Sequence, residues 1–217
     1  MSVIDTFLTL ATWTPYLLSG FGWNILIAFT AMVIGTALGA SLAWMRLGKS
    51  RLASRVSSVI TELSRNIPTI VFQFYLAVML PTQWLLPGTA WVIDIPGWVK
   101  ASMALSVAVV GFTSDNLRTA MSEWRQGQHS TALLFLPSWT SYLLIIVIAS
   151  STASIIGVSE LVSRCNTVVN AIGDTRLLIP FYLYASLFFL IFCYPLTLVM
   201  ARVKTKMSAR LVVPEPK

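Results

Sequence analysis

Hydrophobic residues along this chain fall in long continuous runs rather than in alternation, and polar residues gather in the short stretches between them. A bilayer core about 30 Å thick takes roughly 20 apolar residues per helical crossing. Five such runs are present, and the expected spans cover about residues 16–45, 59–81, 98–118, 138–159 and 177–203. A transmembrane β-barrel would instead need short segments of alternating polarity. The pattern therefore predicts an all-α, polytopic membrane protein with about five transmembrane helices, organised as a single domain over residues 1–217.

Composition agrees with the pattern. Of 217 residues, 56% are hydrophobic and 11% charged, against about 25% charged in an ordinary soluble domain. The net charge of +7 invites a nucleic-acid reading, but the placement of the basic residues argues otherwise. Arg46, Lys49, Arg51 and Arg55 follow the first run, Arg118 and Arg125 the third, and Arg202, Lys204, Lys206, Arg210 and Lys217 the fifth. The opposite side carries only Lys100, Arg164 and Arg176. By the positive-inside rule this places the N-terminus outside and the C-terminus in the cytoplasm. The first fifteen residues hold no Lys or Arg, so the basic start of a cleaved signal peptide is missing and the first run is expected to stay as a helix. Residues 81–98, with three Trp and three Pro, fit an exterior segment lying at the headgroup level.

No catalytic or metal-binding constellation emerges. The single His129 and the two cysteines, Cys165 and Cys193, have no ligand spacing, and no phosphate-binding glycine loop is present. No enzyme activity and no cofactor are expected. What remains is polar residues within or beside apolar runs, which are costly and often functional. Glu62 and Arg65 stand three apart, as do Asp115 and Arg118, so each pair shares a helix face and is able to neutralise itself or to take part in a gate or a helix contact. Pro68 removes a backbone donor and kinks or begins the second span. Ser150, Ser151, Thr152 and Ser154 either bond across helices or line a path. Gly35 and Gly39 form a G-x-x-x-G, which brings helix backbones together either within the chain or between chains.

The segment 112–132, FTSDNLRTAMSEWRQGQHSTA, resembles the cytoplasmic loop of ABC importer permeases of the polar amino acid type, A-Y-x-x-E-x-x-R-G-G-x-x-x-x-x-x-G-Q-x-E-A-A. Phe112 falls on the aromatic, Asp115 on the acid, Arg118 on the arginine, Gly127 and Gln128 on the G-Q, and Ala132 on the last alanine; His129, Ser130 and Thr131 depart from it. The first span looks like the family's first core span, with Asn24 where a threonine is usual. ELSRNIPTIVFQFYLAVMLP looks like its R-G-T-P segment, keeping Arg65 and Pro68, and STASIIGVSEL looks like its T-S-L-x-S-x-I-G-V-x-E-L stretch, with Ser154, Gly157, Glu160 and Leu161.

The resemblance implies a type I ABC importer permease that works with ABC ATPase subunits, a second permease and an extracytoplasmic amino-acid-binding protein in a bacterial inner membrane. The cargo it implies is a polar amino acid, with details similar to the glutamate/aspartate type. It also implies that Arg125, Gly127, Gln128, His129, Ser130, Thr131 and Ala132 form the segment that meets the ATPase. That segment, about residues 119–137, is shorter than the family pattern by roughly twenty residues, about 30 Å of helix. Either a stub from Arg125 to Phe135 suffices for docking, or a partner permease makes the main contact, or the chain is a defective member; a heteromer with a second permease of different sequence is expected. Two other readings stay open: a degenerate, non-transporting membrane scaffold, and an ion-coupled carrier, although the centres of the fourth and fifth spans hold no charge.

Overall fold

Prolines and hydroxyl-rich stretches decide where the apolar runs become helices and where they break. The computed structural model describes residues 3–85 and 92–212; Pro87 and Trp91 of the expected headgroup segment, and Lys217 of the basic tail, lie outside the described residues. The first run extends well upstream of residue 16 into one helix, α1 (Val3–Leu47), of 45 residues with Pro15 inside it. At 1.5 Å per residue it is about 67 Å long, more than twice the thickness of a hydrocarbon core. One lost backbone hydrogen bond at Pro15 does not end it.

The second expected span is not one helix. It divides into α2 (Arg51–Asn66), whose N-cap Ser50 accepts from the Ala53 N–H, and α3 (Thr69–Met79). Pro68 has no N–H to donate, and the residue before it, Ile67, is held in extended geometry at φ −85° and ψ 125°. Strands β1 (Gln83–Leu85) and β2 (Val92–Asp94) then pair antiparallel, with Trp84 opposite Ile93. The described ends of the 81–98 segment are therefore a hairpin, a pairing the Trp and Pro count did not reveal.

Helix α4 (Gly97–Arg125) runs unbroken past the expected end at residue 118. A short helix, α5 (His129–Ala132), leads into α6 (Phe135–Ala149), which tightens into a 3-10 helix over Ser150–Ile156. Helix α7 (Leu161–Ile172), absent from the sequence expectation, precedes a 3-10 turn (Thr175–Leu177) and α8 (Leu178–Val212). Among the described residues, four helical stretches are long and apolar enough to cross a membrane: Ile4–Leu47, Gly97–Arg125, His129–Ile156 and Thr175–Ser208. The pair α2–α3 is a broken element, and α3 is apolar but short.

Between helices in lipid there is little hydrophobic driving force, so close packing of small residues must hold them. The long seam of α1 with α4 follows that rule. A Cβ on Gly35 would strike the side chain of Val109 and lie 2.7 Å from the Ser106 carbonyl oxygen, and one on Gly39 would lie 2.7 Å from the Thr113 Cβ. The G-x-x-x-G therefore serves packing within the chain. One core cluster joins Ile27, Met32, Leu105, Val109 and Ile146; a second joins Leu17, Phe21, Leu161, Val168 and Phe181. Phe29, Trp44, Val78, Ile179 and Ile191 are mostly exposed, as side chains facing lipid should be.

Candidate functional site

Three groups of the sequence-predicted residues can be traced. The first surrounds the α2–α3 break. Because Pro68 ends the backbone ladder there, α2 and α3 leave a cavity of about 600 Å³ against α4 and α6, lined by Arg65, Pro68, Phe112, Asp115, Asn116 and Tyr142 among others. Asp115 holds two arginines at its edge: Arg46 Nη1 donates to one carboxylate oxygen at 2.5 Å and Arg65 Nη1 donates to the other. One acid thus ties the end of α1, the end of α2 and the middle of α4. Beneath it, the Thr61 and Ser114 hydroxyls share a hydrogen bond of 2.8 Å, and Ser57 donates to the Leu42 carbonyl at 2.8 Å. The rings of Phe112 and Tyr142 stack at 3.9 Å.

This corrects the expected pairing within each helix. Asp115 bonds to Arg46 and Arg65 rather than to Arg118, and Arg65 reaches α4 rather than Glu62. Glu62 and Arg118 are exposed, and neither forms an ion pair among the described residues. The reason is burial: a pair three apart on an exposed face gains a few tenths of a kcal/mol, whereas Arg46, whose side chain is only 11% exposed, requires an anion. Gly111, without apparent role in the sequence, lets α2 approach: a Cβ there would lie 2.6 Å from Arg65 Cγ.

The second group is a buried knot at the start of α7. Asn24 Nδ2 donates to Ser150 Oγ at 3.0 Å and to Glu160 Oε2 at 2.9 Å, while Asn24 Oδ1 accepts from the Leu161 N–H at 3.1 Å. The Glu160 carboxylate accepts from the Val162 and Ser163 N–H groups, which makes it the N-cap of α7. All three side chains are fully buried. Ser151, Thr152 and Ser154 instead donate to carbonyls three residues back, so of the four hydroxyls only Ser150 reaches across helices. Gly157, at φ +83°, closes the 3-10 helix in a conformation that side chains resist. We expect Glu160→Ala to lower stability by about 2–3 kcal/mol, through the lost cap and the orphaned donors, and Asn24→Thr to cost less because a hydroxyl keeps part of the knot. Thermal unfolding in detergent measures both; equal, negligible losses would contradict the knot.

The third group is the loop between α4 and α6. Arg125, Gly127, Gln128, His129 and Ser130 are exposed, whereas Ala132 is buried. The turn is fixed by Gly127 at φ +81° and by the Gln128 N–H donating to the Glu123 carbonyl at 3.0 Å. The His129 ring meets that of Trp124 at 4.3 Å, and the short helix α5 packs against α4 and α8. The segment is thus a compact knob continuous with a long helix.

Among the buried polar residues to which the sequence assigned no contact are Lys100 and Gln73. Lys100, 5% exposed, donates to the carbonyls of Ala77 and Leu80 at the end of α3, where a cation suits the helix terminus. Gln73 of α3 is fully buried with no hydrogen-bond partner among the described residues. A hydroxyl series such as Ser57, Thr61 and Ser64 at helical spacing would have been the readable signal for the buried face of α2.

No family model matches the chain. Among curated proteins it is 24% identical over 174 residues to the Probable amino-acid ABC transporter permease protein YckA of Bacillus subtilis, covering 71% of this chain and 74% of that protein. It is 33% identical over 136 residues to the Glutamate/aspartate import permease protein GltK of Escherichia coli O6:H1, covering 61% of this chain and 60% of GltK. It is 22% identical over 213 residues to the Probable glutamine ABC transporter permease protein GlnP of Bacillus subtilis, covering 89% and 94%. In three dimensions it matches a chain of a crystal structure of an amino acid ABC transporter with histidines, with a TM-score of 0.74 and 17% identity over 92% of this chain and 98% of that one. The multi-pass helical fold, the sequence relatives and the motifs agree: in sequence and in fold the chain is similar to the amino-acid ABC transporter permeases.

Proposed function

We propose that the protein is the membrane subunit of an ATP-driven importer that moves a polar amino acid, of the acidic type, into the bacterial cytoplasm. Likeness along nearly the whole length to GlnP carries this reading, and the stretch most similar to GltK favours the acidic cargo. A binding protein delivers the substrate outside, a second permease completes the path, and ATPase subunits bind at the cytoplasmic loops. The basic residues supply the orientation, with the N-terminus outside and the C-terminus in the cytoplasm of an inner-membrane protein.

In that orientation the α4–α6 knob faces the ATPase. Helix α4, about 43 Å long by its 29 residues, carries the knob at one end and Asp115 along its length. Movement of the knob therefore moves the acid that binds α1 and α2, beside the cavity at the Pro68 break. ATP shifts the equilibrium between outward- and inward-facing forms because its two states of occupancy contact the knob differently.

The short knob also supports a second reading, a subunit that no longer couples. Co-purification decides between them: the importer reading expects an ATPase in the complex whose turnover rises with binding protein and amino acid. Gly127→Asp and Ala132→Asp are expected to weaken ATPase retention about tenfold, the first by straining a positive φ and the second by burying a charge. A complex without ATPase, or turnover indifferent to the binding protein, would leave the scaffold.

A further inference from the structure

Helix α2 has three faces, and packing within the chain explains only one. At about 100° per residue, Ser57, Thr61 and Ser64 fall on the face buried against the protein. Leu52, Val56, Val59, Ile60 and Leu63 fall together on a second face, and all are exposed. Arg51 and Arg55 fall on a third, with Lys49 just before the helix, and these too are exposed. A soluble amphipathic helix turns its apolar face inward; this one turns it outward. An open groove of about 760 Å³ lies along Lys49, Arg51 and Arg55, with the hydroxyls of Ser54 and Ser58. None of the three cations forms an ion pair among the described residues. The nearest acid along the charged face, Glu62, is seven residues beyond Arg55, about 10 Å away.

We propose that the first half of α2 binds an anionic phospholipid, its phosphodiester held by Lys49, Arg51 and Arg55 and its acyl chains lying on Leu52, Val56 and Val59. The inference goes beyond the transport reading and stands whether or not the chain couples to an ATPase. Charge complementarity selects an anion, and each Lys or Arg at a membrane surface raises anionic-lipid affinity roughly fivefold. The neighbouring apolar face selects a lipid: a headgroup over the cations lays its chains along that face, whereas an acidic protein segment would leave it bare.

The test uses the full-length protein, with whatever subunits co-purify, in nanodiscs of phosphatidylcholine holding a minor fraction of phosphatidylglycerol. A photoactivatable phosphatidylglycerol, and separately a phosphatidylcholine probe, is cross-linked and the adducts are mapped by peptide mass spectrometry. Adducts on α8 serve as the standard within the same molecule, so a loss of folding does not imitate the effect. The expected result is enrichment of the phosphatidylglycerol probe on α2 over the phosphatidylcholine probe, falling about tenfold or more in a Lys49→Gln, Arg51→Gln, Arg55→Gln variant while α8 labelling holds. Equal labelling of α2 by the two probes, enrichment unchanged in the variant, or an α2 without adducts because a protein subunit covers it would each overturn the proposal.

Discussion

Gly35→Val is expected to leave the chain unable to form its α1–α4 seam, with little monodisperse protein recovered from membranes, and even Gly35→Ala should lose about 2–3 kcal/mol or more. The seam is set by backbone approach. The added carbon would strike Val109 and sit 2.7 Å from the Ser106 carbonyl oxygen, and at Gly39 it would sit 2.8 Å from the Val110 carbonyl oxygen. Side chains can change rotamer, but carbonyls move only if the whole helix moves, and α4 carries both Asp115 and the α4–α6 knob. Gly22 on the same helix is the control, since a Cβ added there would meet nothing within 4 Å; Gly22→Ala should be neutral or slightly stabilising through helix propensity. Size-exclusion profiles and thermal unfolding in detergent compare the three variants. If Gly35→Ala is as stable as Gly22→Ala, the helices do not meet along this seam.

The second large effect is at Asp115. Asp115→Asn removes the anion shared by Arg46 and Arg65, and Arg46, being largely buried, cannot recover its hydration. The expected loss is about 3 kcal/mol, most of it from the stranded arginine. Arg65 is mostly exposed, so Arg65→Gln should cost under about 1 kcal/mol, and Arg118→Gln should cost nothing measurable. That ordering separates the three-helix clasp from the local pair suggested by spacing. Thermal unfolding gives the ranking; an Arg118 effect as large as that of Asp115 would restore the local pair. In a complex that transports, Asp115→Asn should also uncouple ATP turnover from uptake, because the knob and the α2–α3 break would no longer share a fixed contact.

Much of the fold is legible in the sequence because lipid imposes a coarse and unambiguous pattern. Apolar runs had to be helices, since an unpaired backbone is intolerable in hydrocarbon. Boundaries were harder to read. Pro15 and Pro68 look alike as letters, yet α1 runs through the first while the second separates α2 from α3. Helix α7 was missed because its twelve residues are too few and too polar to read as a span; its signal was Glu160 at the cap and Gly173 at φ +73° after its end. The motif residues were findable by likeness, but likeness gave no partners.

The sequence by itself determined the membrane class, the apolar helical runs, the motifs that carry the likeness and the expected basic side, all of which follow from one-dimensional patterns of hydropathy, charge and spacing. Only the tertiary structure decided that Asp115 serves Arg46 and Arg65, that Asn24 joins Ser150 to Glu160, and that the paired glycines face α4. These pairings join positions from about 50 to more than 130 residues apart. Periodicity shows which residues share a helix face, whereas the buried charge or amide finds its partner on whichever helix packing brings alongside.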